Sequence, residues 1–311
     1  MARIVFMGTP AFAVPSLESL AADGYEIIAV VTQPDRPAGR GRRLVAPAVK
    51  QAALPLGLPV WQPETMRGEQ IVDRLREAAP DVIVVAAYGE ILRPNVLAVP
   101  PHGIVNVHAS LLPRHRGASP VAGALLAGDD ITGVTIMLMD EGMDTGPILS
   151  TTTLPIDPDD NRGTLTGKLA SLGAQLLRET LPRWLSREIA PQPQDDSQAT
   201  YSRLIKKAHG RVNWQEPAAQ IAHRCRAYTP WPGLFTTWRG QTLKILRCHA
   251  ASAGADTAEP GRIVLADDRP AVVTGDGLLI LDEVQLAGRR PASGSDFVRG
   301  RRDFISERLG L

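Results

Sequence analysis

The chain of 311 residues has only two cysteines, Cys225 and Cys248. They form no Cys-x-x-Cys pair and no zinc-finger spacing, which excludes a disulfide framework and a thiolate metal site. Free, packed thiols in a reducing compartment are expected instead. Long apolar runs are also missing. Val82–Ala87 is among the longest, and a membrane helix needs roughly 20 such residues. The N-terminus enters Arg3-Ile4-Val5-Phe6-Met7 without a secretory apolar region, so a soluble, cytoplasmic protein with no membrane partner is expected. No internal repeat or low-complexity run occurs. The first turn, Gly8-Thr9-Pro10, lacks the third glycine of Gly-x-Gly-x-x-Gly, which disfavours a nicotinamide dehydrogenase. Gly8 suits close approach of a ligand or neighbouring loop to the backbone.

Net charge is only +1, but it is uneven. Residues 201–311 carry 17 Lys and Arg against 11 Asp and Glu, whereas residues 1–200 carry 17 against 22. A basic C-terminal third points to a polyanionic partner, with a solvated basic face as the plainer alternative. The length is large for one core, so two domains are expected.

Strands and helices alternate through the first half. Arg3–Met7, Ile27–Thr32, Val82–Ala87, Ile104–Val107 and Val134–Met139 are short and almost wholly apolar, as expected of a parallel sheet covered on both faces. Helical spacing occupies Val14–Ala22, Ala46–Leu56, Gly68–Ala79, Gly117–Ala127 and Thr164–Leu185. This is an α/β pattern, a doubly wound sheet over residues 1–188. A polar, proline-containing stretch within 189–205 reads as an interdomain linker. Over 206–311, five short strand candidates separated by turn signals suggest a small all-β, OB-like barrel, with a β-sandwich as the alternative. The strand candidates are Leu234–Arg239, Gln241–Arg247, Gly261–Leu265, Ala271–Thr274 and Leu278–Gln285.

Residues 106–120, from Asn106-Val107-His108-Ala109-Ser110-Leu111-Leu112-Pro113 to Pro120, carry the most chemistry. Asn106 and His108 lie two apart at the end of an apolar run, so they share one strand face. The apolar strand 134–139 likewise runs into an acidic, glycine-bounded turn containing Asp144. Open α/β sheets bind ligands beyond the carboxyl ends of their strands. That rule places Asn106, His108 and Asp144 at one edge: a hydrogen-bond donor, a titratable base and a carboxylate to orient it. Singly, each is equally a satisfied polar group at a strand end or turn. A Ser110/His108/Asp144 hydrolase triad lacks the Gly-x-Ser-x-Gly elbow. Metal binding by His102, His108 or His115 lacks ligand spacing, so no metal is expected.

The segment 33–43 holds four arginines, Arg36, Arg40, Arg42 and Arg43, with two prolines and two glycines. It should be mobile and suited to phosphate, with a solvated surface loop as the alternative. Trp214, Trp231 and Trp238 fall among basic residues. They suit base stacking or core packing equally, and Trp231 reads as structural.

These landmarks resemble the methionyl-tRNA formyltransferase family over essentially the whole chain. The resemblance is carried by Gly8-Thr9-Pro10, residues 33–41, Ala87-Tyr88-Gly89-Glu90-Ile91-Leu92, residues 106–117, residues 139–146 and residues 221–233. The Asn-x-His and Ser-Leu-Leu-Pro block is similar to that of enzymes using 10-formyltetrahydrofolate, whatever their acceptor. The resemblance implies a Rossmann-like formyltransferase domain followed by an OB-like domain that helps hold tRNA. It implies catalysis by Asn106, His108 and Asp144. It also implies a folate site lined by Ser110, Leu111, Leu112 and Pro113 near Tyr88, Gly89, Ile91 and Leu92. The arginine loop would approach the acceptor stem of initiator methionyl-tRNA, and a monomer is expected. His115, Ser119 and Met143 depart from the usual residues without touching the catalytic trio.

The chemistry suits the residues. An amine attacks the formyl carbon, Asn106 donates to the developing oxyanion, and His108, oriented by Asp144, supports the oxyanion or moves the amine proton. A sugar-nucleotide formyltransferase shares this core; the arginine loop and the basic C-terminal part favour tRNA. A glycinamide ribonucleotide formyltransferase would lack the last hundred residues. A noncatalytic RNA-binding protein would have no use for the trio.

Overall fold

A computed structural model describes residues 2–38, 43–252 and 259–310. The chain groups into two units. One comprises Met1–Pro120, Ile131–Pro155 and Thr166–Ser202, and the other Val121–Asp130, Ile156–Leu165 and Arg203–Leu311.

The first unit is built on a mixed sheet. Its strand order is Ile148–Pro155, Ile131–Leu138, Ile104–His108, Val82–Ala86, Arg3–Gly8, Glu26–Val31 and Val60–Trp61. The last five run parallel. Every residue of Val82–Ala86 and Ile104–His108 is buried, which explains their unbroken apolar reading. Val5, Met7, Ile83, Val85, Ile104, Leu75 and Tyr88 share one core cluster.

Several expectations need correction. Ile131–Leu138 is antiparallel to Ile104–His108, with Val105 opposite Leu138 and His108 opposite Thr135. The two strands therefore do not end at one edge. The edge strand Ile148–Pro155 was not anticipated, because its Ser/Thr-rich alternation of exposed and covered positions lacks the apolar signature. The helix expected from Gly117 starts at Pro120. Arg116 and Gly117 instead pair with Tyr201 and Ser202, and Gly117 has φ 103°, outside helical space. The segment read as a linker is fastened to the first unit through that pairing and an Ile148–Gln192 bridge.

The second unit carries an antiparallel sheet in the order Leu234–Trp238, Gln241–Ala251, Leu278–Leu286, Arg269–Val273, Ile263–Ala266. The helix Ala218–Tyr228 was not expected; it buries Ile221, Cys225 and Tyr228. Trp238 meets Phe297 and Phe304 edge to face at 5.8 and 5.2 Å between ring centroids. Trp214 is also buried, so these two tryptophans pack rather than stack on a ligand. Trp231 is half exposed; its carbonyl accepts a hydrogen bond from Arg162.

Candidate functional site

Asn106 and His108 occupy alternate positions of the buried strand Ile104–His108, with 7% and 6% of their surface exposed. A polar side chain this deep needs partners. The His108 ring has them on both sides. Nε2 lies 3.2 Å from the carbonyl oxygen of His115, and Nδ1 lies 3.6 Å from Oδ1 of Asp144.

Asp144 arrives by the course of the 139–147 loop rather than by a shared strand end. Its backbone is left-handed at φ 55°, a conformation that Asp tolerates better than most residues. Its Oδ2 accepts from the backbone N–H of Gly117 at 2.7 Å. Asp140 ties the front of the loop, accepting from Gly142 N at 3.0 Å and from Thr145 Oγ1 at 2.7 Å.

The geometry fixes the tautomer. A carbonyl oxygen only accepts, so Nε2 carries the proton and donates it to His115. The Nδ1 lone pair of a neutral ring then faces a carboxylate, and 3.6 Å is a separation without a hydrogen bond. Burial pushes the His108 pKa down, opposed by Asp144, so the resting imidazole is neutral at pH 7. A proton delivered to Nδ1 creates an imidazolium held between the His115 carbonyl and the Asp144 carboxylate.

Ser110 is fully buried. Its hydroxyl donates to the Arg114 carbonyl at 2.6 Å, which commits the proton elsewhere and disposes of the hydrolase triad. Thr135, opposite His108 in the ladder, was missed from sequence. Its Oγ1 donates to the Ser110 carbonyl at 2.7 Å and accepts from Leu112 N at 3.1 Å, so it shapes the whole 110–113 turn. A threonine inside the apolar run 134–139 was the available signal.

The strands ending at Ala86 and His108 are parallel neighbours, so the 87–92 and 109–116 loops leave one sheet edge together. Tyr88 is 2% exposed and its ring packs in the core. Leu92 and Leu112 are likewise buried, Leu111 and Pro113 are half-buried, and Gly89 and Ile91 are exposed. Gly89 adopts φ 93°, and a Cβ there would meet nothing within 4 Å. The surface of the 87–92 segment is therefore bare backbone at Gly89 beside the exposed side chains of Ala87 and Ile91.

Arg36–Ala38 and Arg43–Val45 pair as a short antiparallel ribbon with both arginines exposed, more order at the base than expected. Arg40 and Arg42 lie outside the described residues. The ribbon's root is a polar network that sequence reading missed. Lys50 donates to Asp35 at 2.9 Å and to Gln62 at 2.8 Å. Gln33 bridges Arg36 and Glu90 at 3.0 and 3.3 Å. Among the described residues no cluster of His, Cys, Asp and Glu is grouped for a metal ion, and no helix is long and apolar enough to cross a membrane.

Known families match both parts of the chain. The formyl transferase family matches residues 2–181, and the formyl transferase C-terminal domain matches residues 204–302. A methionyl-tRNA formyltransferase from Roseiflexus sp. is 54% identical over 309 residues, covering 99% of this chain and 95% of the relative. The fold is also that of the Helicobacter canadensis N-formyltransferase crystallised with folinic acid and dTDP-3-aminofucose. That protein is 18% identical, with TM-score 0.66 over 90% of this chain and 99% of its own. A phosphoribosylglycinamide formyltransferase from Bacillus halodurans is 28% identical with TM-score 0.51, and covers 60% of this chain. With family matches over both parts and a full-length relative at this identity, the chain belongs to the formyl transferases, in the methionyl-tRNA formyltransferase family.

Proposed function

We propose that the chain transfers the formyl group of 10-formyltetrahydrofolate to the free amino group of initiator methionyl-tRNA, giving N-formylmethionyl-tRNA for translation initiation. The observation that carries the mechanism is the His108 ring, set between the His115 carbonyl and Asp144.

Bound folate supplies a formyl carbon already activated by its aryl amine nitrogen. Asn106 donates to the oxygen on which negative charge develops. His108 Nδ1 takes the proton that the attacking amine loses, and Asp144 stabilises the imidazolium so formed. Collapse of the tetrahedral adduct breaks the bond from the formyl carbon to the folate nitrogen, which leaves with that proton and returns the ring to its neutral form. Burial keeps the ring neutral at rest and the carboxylate makes its charged form accessible, which a general base near neutral pH requires.

The residues present fit the folate. The exposed Ile91 and the bare backbone of Gly89 offer apolar and hydrogen-bonding surface to a planar ring. Ser110, Leu111, Leu112 and Pro113 form the facing turn, with Tyr88 and Leu92 supporting the loop from beneath. Arg36, Arg40, Arg42 and Arg43 would contact acceptor-stem phosphates. In this reading residues 1–188 hold the chemistry, 189–205 connect, and 206–311 add tRNA affinity. The enzyme acts as a cytoplasmic monomer.

The test offers labelled 10-formyltetrahydrofolate with methionyl-tRNA and, in parallel, with an amino-sugar nucleotide. Label on the tRNA alone is expected. Label on the sugar alone would retain the site and overturn the acceptor.

A further inference from the structure

The segment from Gln192 to Ser202 looks like a linker by composition, but its side chains do something more specific. Arg116 is 1% exposed, and a buried guanidinium must find acceptors. It finds Gln194, whose Oε1 accepts from Nε at 3.1 Å and from Nη2 at 2.7 Å. Nη2 also donates to Asp196 at 2.7 Å and Nη1 to the Tyr201 hydroxyl at 3.4 Å. With its oxygen so clamped, Gln194 has its amide nitrogen turned the other way. That nitrogen donates to the carbonyls of Asp144 and Gly146 at 2.8 and 2.7 Å. The amide therefore grips the backbone on both sides of Thr145, where Asp144 is held left-handed.

The same segment holds the other side of the imidazole. Thr200 Oγ1 accepts from His115 N at 2.9 Å, and the Thr200 carbonyl accepts from Arg116 N at 2.9 Å. His115 is the residue whose carbonyl accepts from His108 Nε2. The two groups that flank the ring, the His115 carbonyl and the Asp144 carboxylate, thus hang on one strap, far from them in sequence.

We infer that Gln192–Ser202 is a positioning strap for His108, with Gln194, oriented by Arg116, as the residue that sets Asp144 against the ring. Gln194 touches no reacting atom; it acts through Asp144. The inference rests on the catalytic reading above, and its primary test does not depend on activity.

Gln194→Glu is the informative change. It keeps an acceptor for Arg116 and so keeps the buried cation partnered. It removes the two donors and sets a carboxylate against two carbonyls, so the Asp144 loop should withdraw while the fold persists. The charged and titratable groups that face the ring are Asp144 and His115. Loss of the Asp144 contribution should move the His108 titration, followed by NMR in the full chain, down by about half a pH unit or more. In transfer assays kcat should fall about 10- to 100-fold, as expected of a misplacement near 1 Å, with both KM values within about threefold. In an Asp144→Asn background the same change should cost less than about threefold, since effects passing through one residue do not add. If Gln194→Glu does not fold, Gln194→Met tests the same loss of donors at similar length. An unmoved His108 titration in the folded variant, or fully additive losses in the double variant, would overturn the strap. Absence of transfer by the wild type would instead sink the catalytic reading, while the titration still judges the strap.

Discussion

Asp144→Asn isolates the charge at the centre of the site. The substitution is nearly isosteric, and an amide oxygen can still accept from Gly117 N, now at 2.7 Å. What disappears is one negative charge 3.6 Å from His108 Nδ1. At an effective dielectric near 20, a unit pair at that separation attracts by about 4–5 kcal/mol. The Asp144 side chain is 18% exposed, so solvent and salt take part of this. About 3–4 kcal/mol should be lost from the state in which the imidazole is charged. That corresponds to a kcat about 10²- to 10³-fold lower. The KM for folate should hold, because the resting ring is neutral and the lost interaction arises only as the proton transfers. The pH profile gives an independent sign. Burial lowers the His108 pKa and Asp144 raises it, so removing the carboxylate lowers it further. The acid limb of kcat/KM should shift to lower pH. Steady-state transfer measured from pH 4.5 to 8 reads both effects. A kcat within about threefold of wild type, or an acid limb that moves upward, would refute the imidazolium account.

Other consequences follow from single contacts. Asn106→Ala should lower kcat about 10²- to 10³-fold, the usual worth of one oxyanion donor, while equilibrium folate binding stays near wild type; equal losses in both would make Asn106 a binding residue. Ser110→Ala should leave transfer within about tenfold, because the hydroxyl serves the Arg114 carbonyl rather than the reaction; abolished transfer would return Ser110 to the chemistry. Arg36→Ala and Arg43→Ala should raise KM for tRNA without changing KM for folate, and each should flatten the salt dependence of tRNA binding by about one unit of slope. Folding stability should decline as pH falls below about 6.5, where the unfolded chain binds the proton that buried His108 resists. Urea denaturation of His108→Gln should show a shallower decline over that window, and an unchanged slope would mean that His108 is not the group responsible.

Much of the fold was legible because buried strands leave a local mark. Val82–Ala86 and Ile104–His108 are apolar at every covered position except Asn106 and His108. Those two stood out for that reason. What was not legible was direction. Nothing within Ile131–Leu138 says whether it runs with or against its neighbour; that is decided by its pairing with residues 104–108 and 148–155. Asp144 was thus rightly placed beside His108, for a wrong reason. Gln194 was invisible for a related cause. A glutamine between Pro193 and Asp195 has the composition of a linker, and only a contact with Arg116, 78 positions away, gives it work. Thr135 and the Lys50–Asp35–Gln62 network belong to the same class, polar residues whose partners are distant in sequence.

The most direct test of the central claim is single-turnover transfer of labelled formyl from 10-formyltetrahydrofolate to initiator and elongator methionyl-tRNA, run side by side with the wild type and Asn106→Ala. Fast labelling of initiator tRNA by the wild type, little on elongator tRNA, and a rate reduced about 10²- to 10³-fold in the variant is the predicted result. Equal labelling by wild type and variant, or no labelling of either tRNA by the wild type, would contradict it.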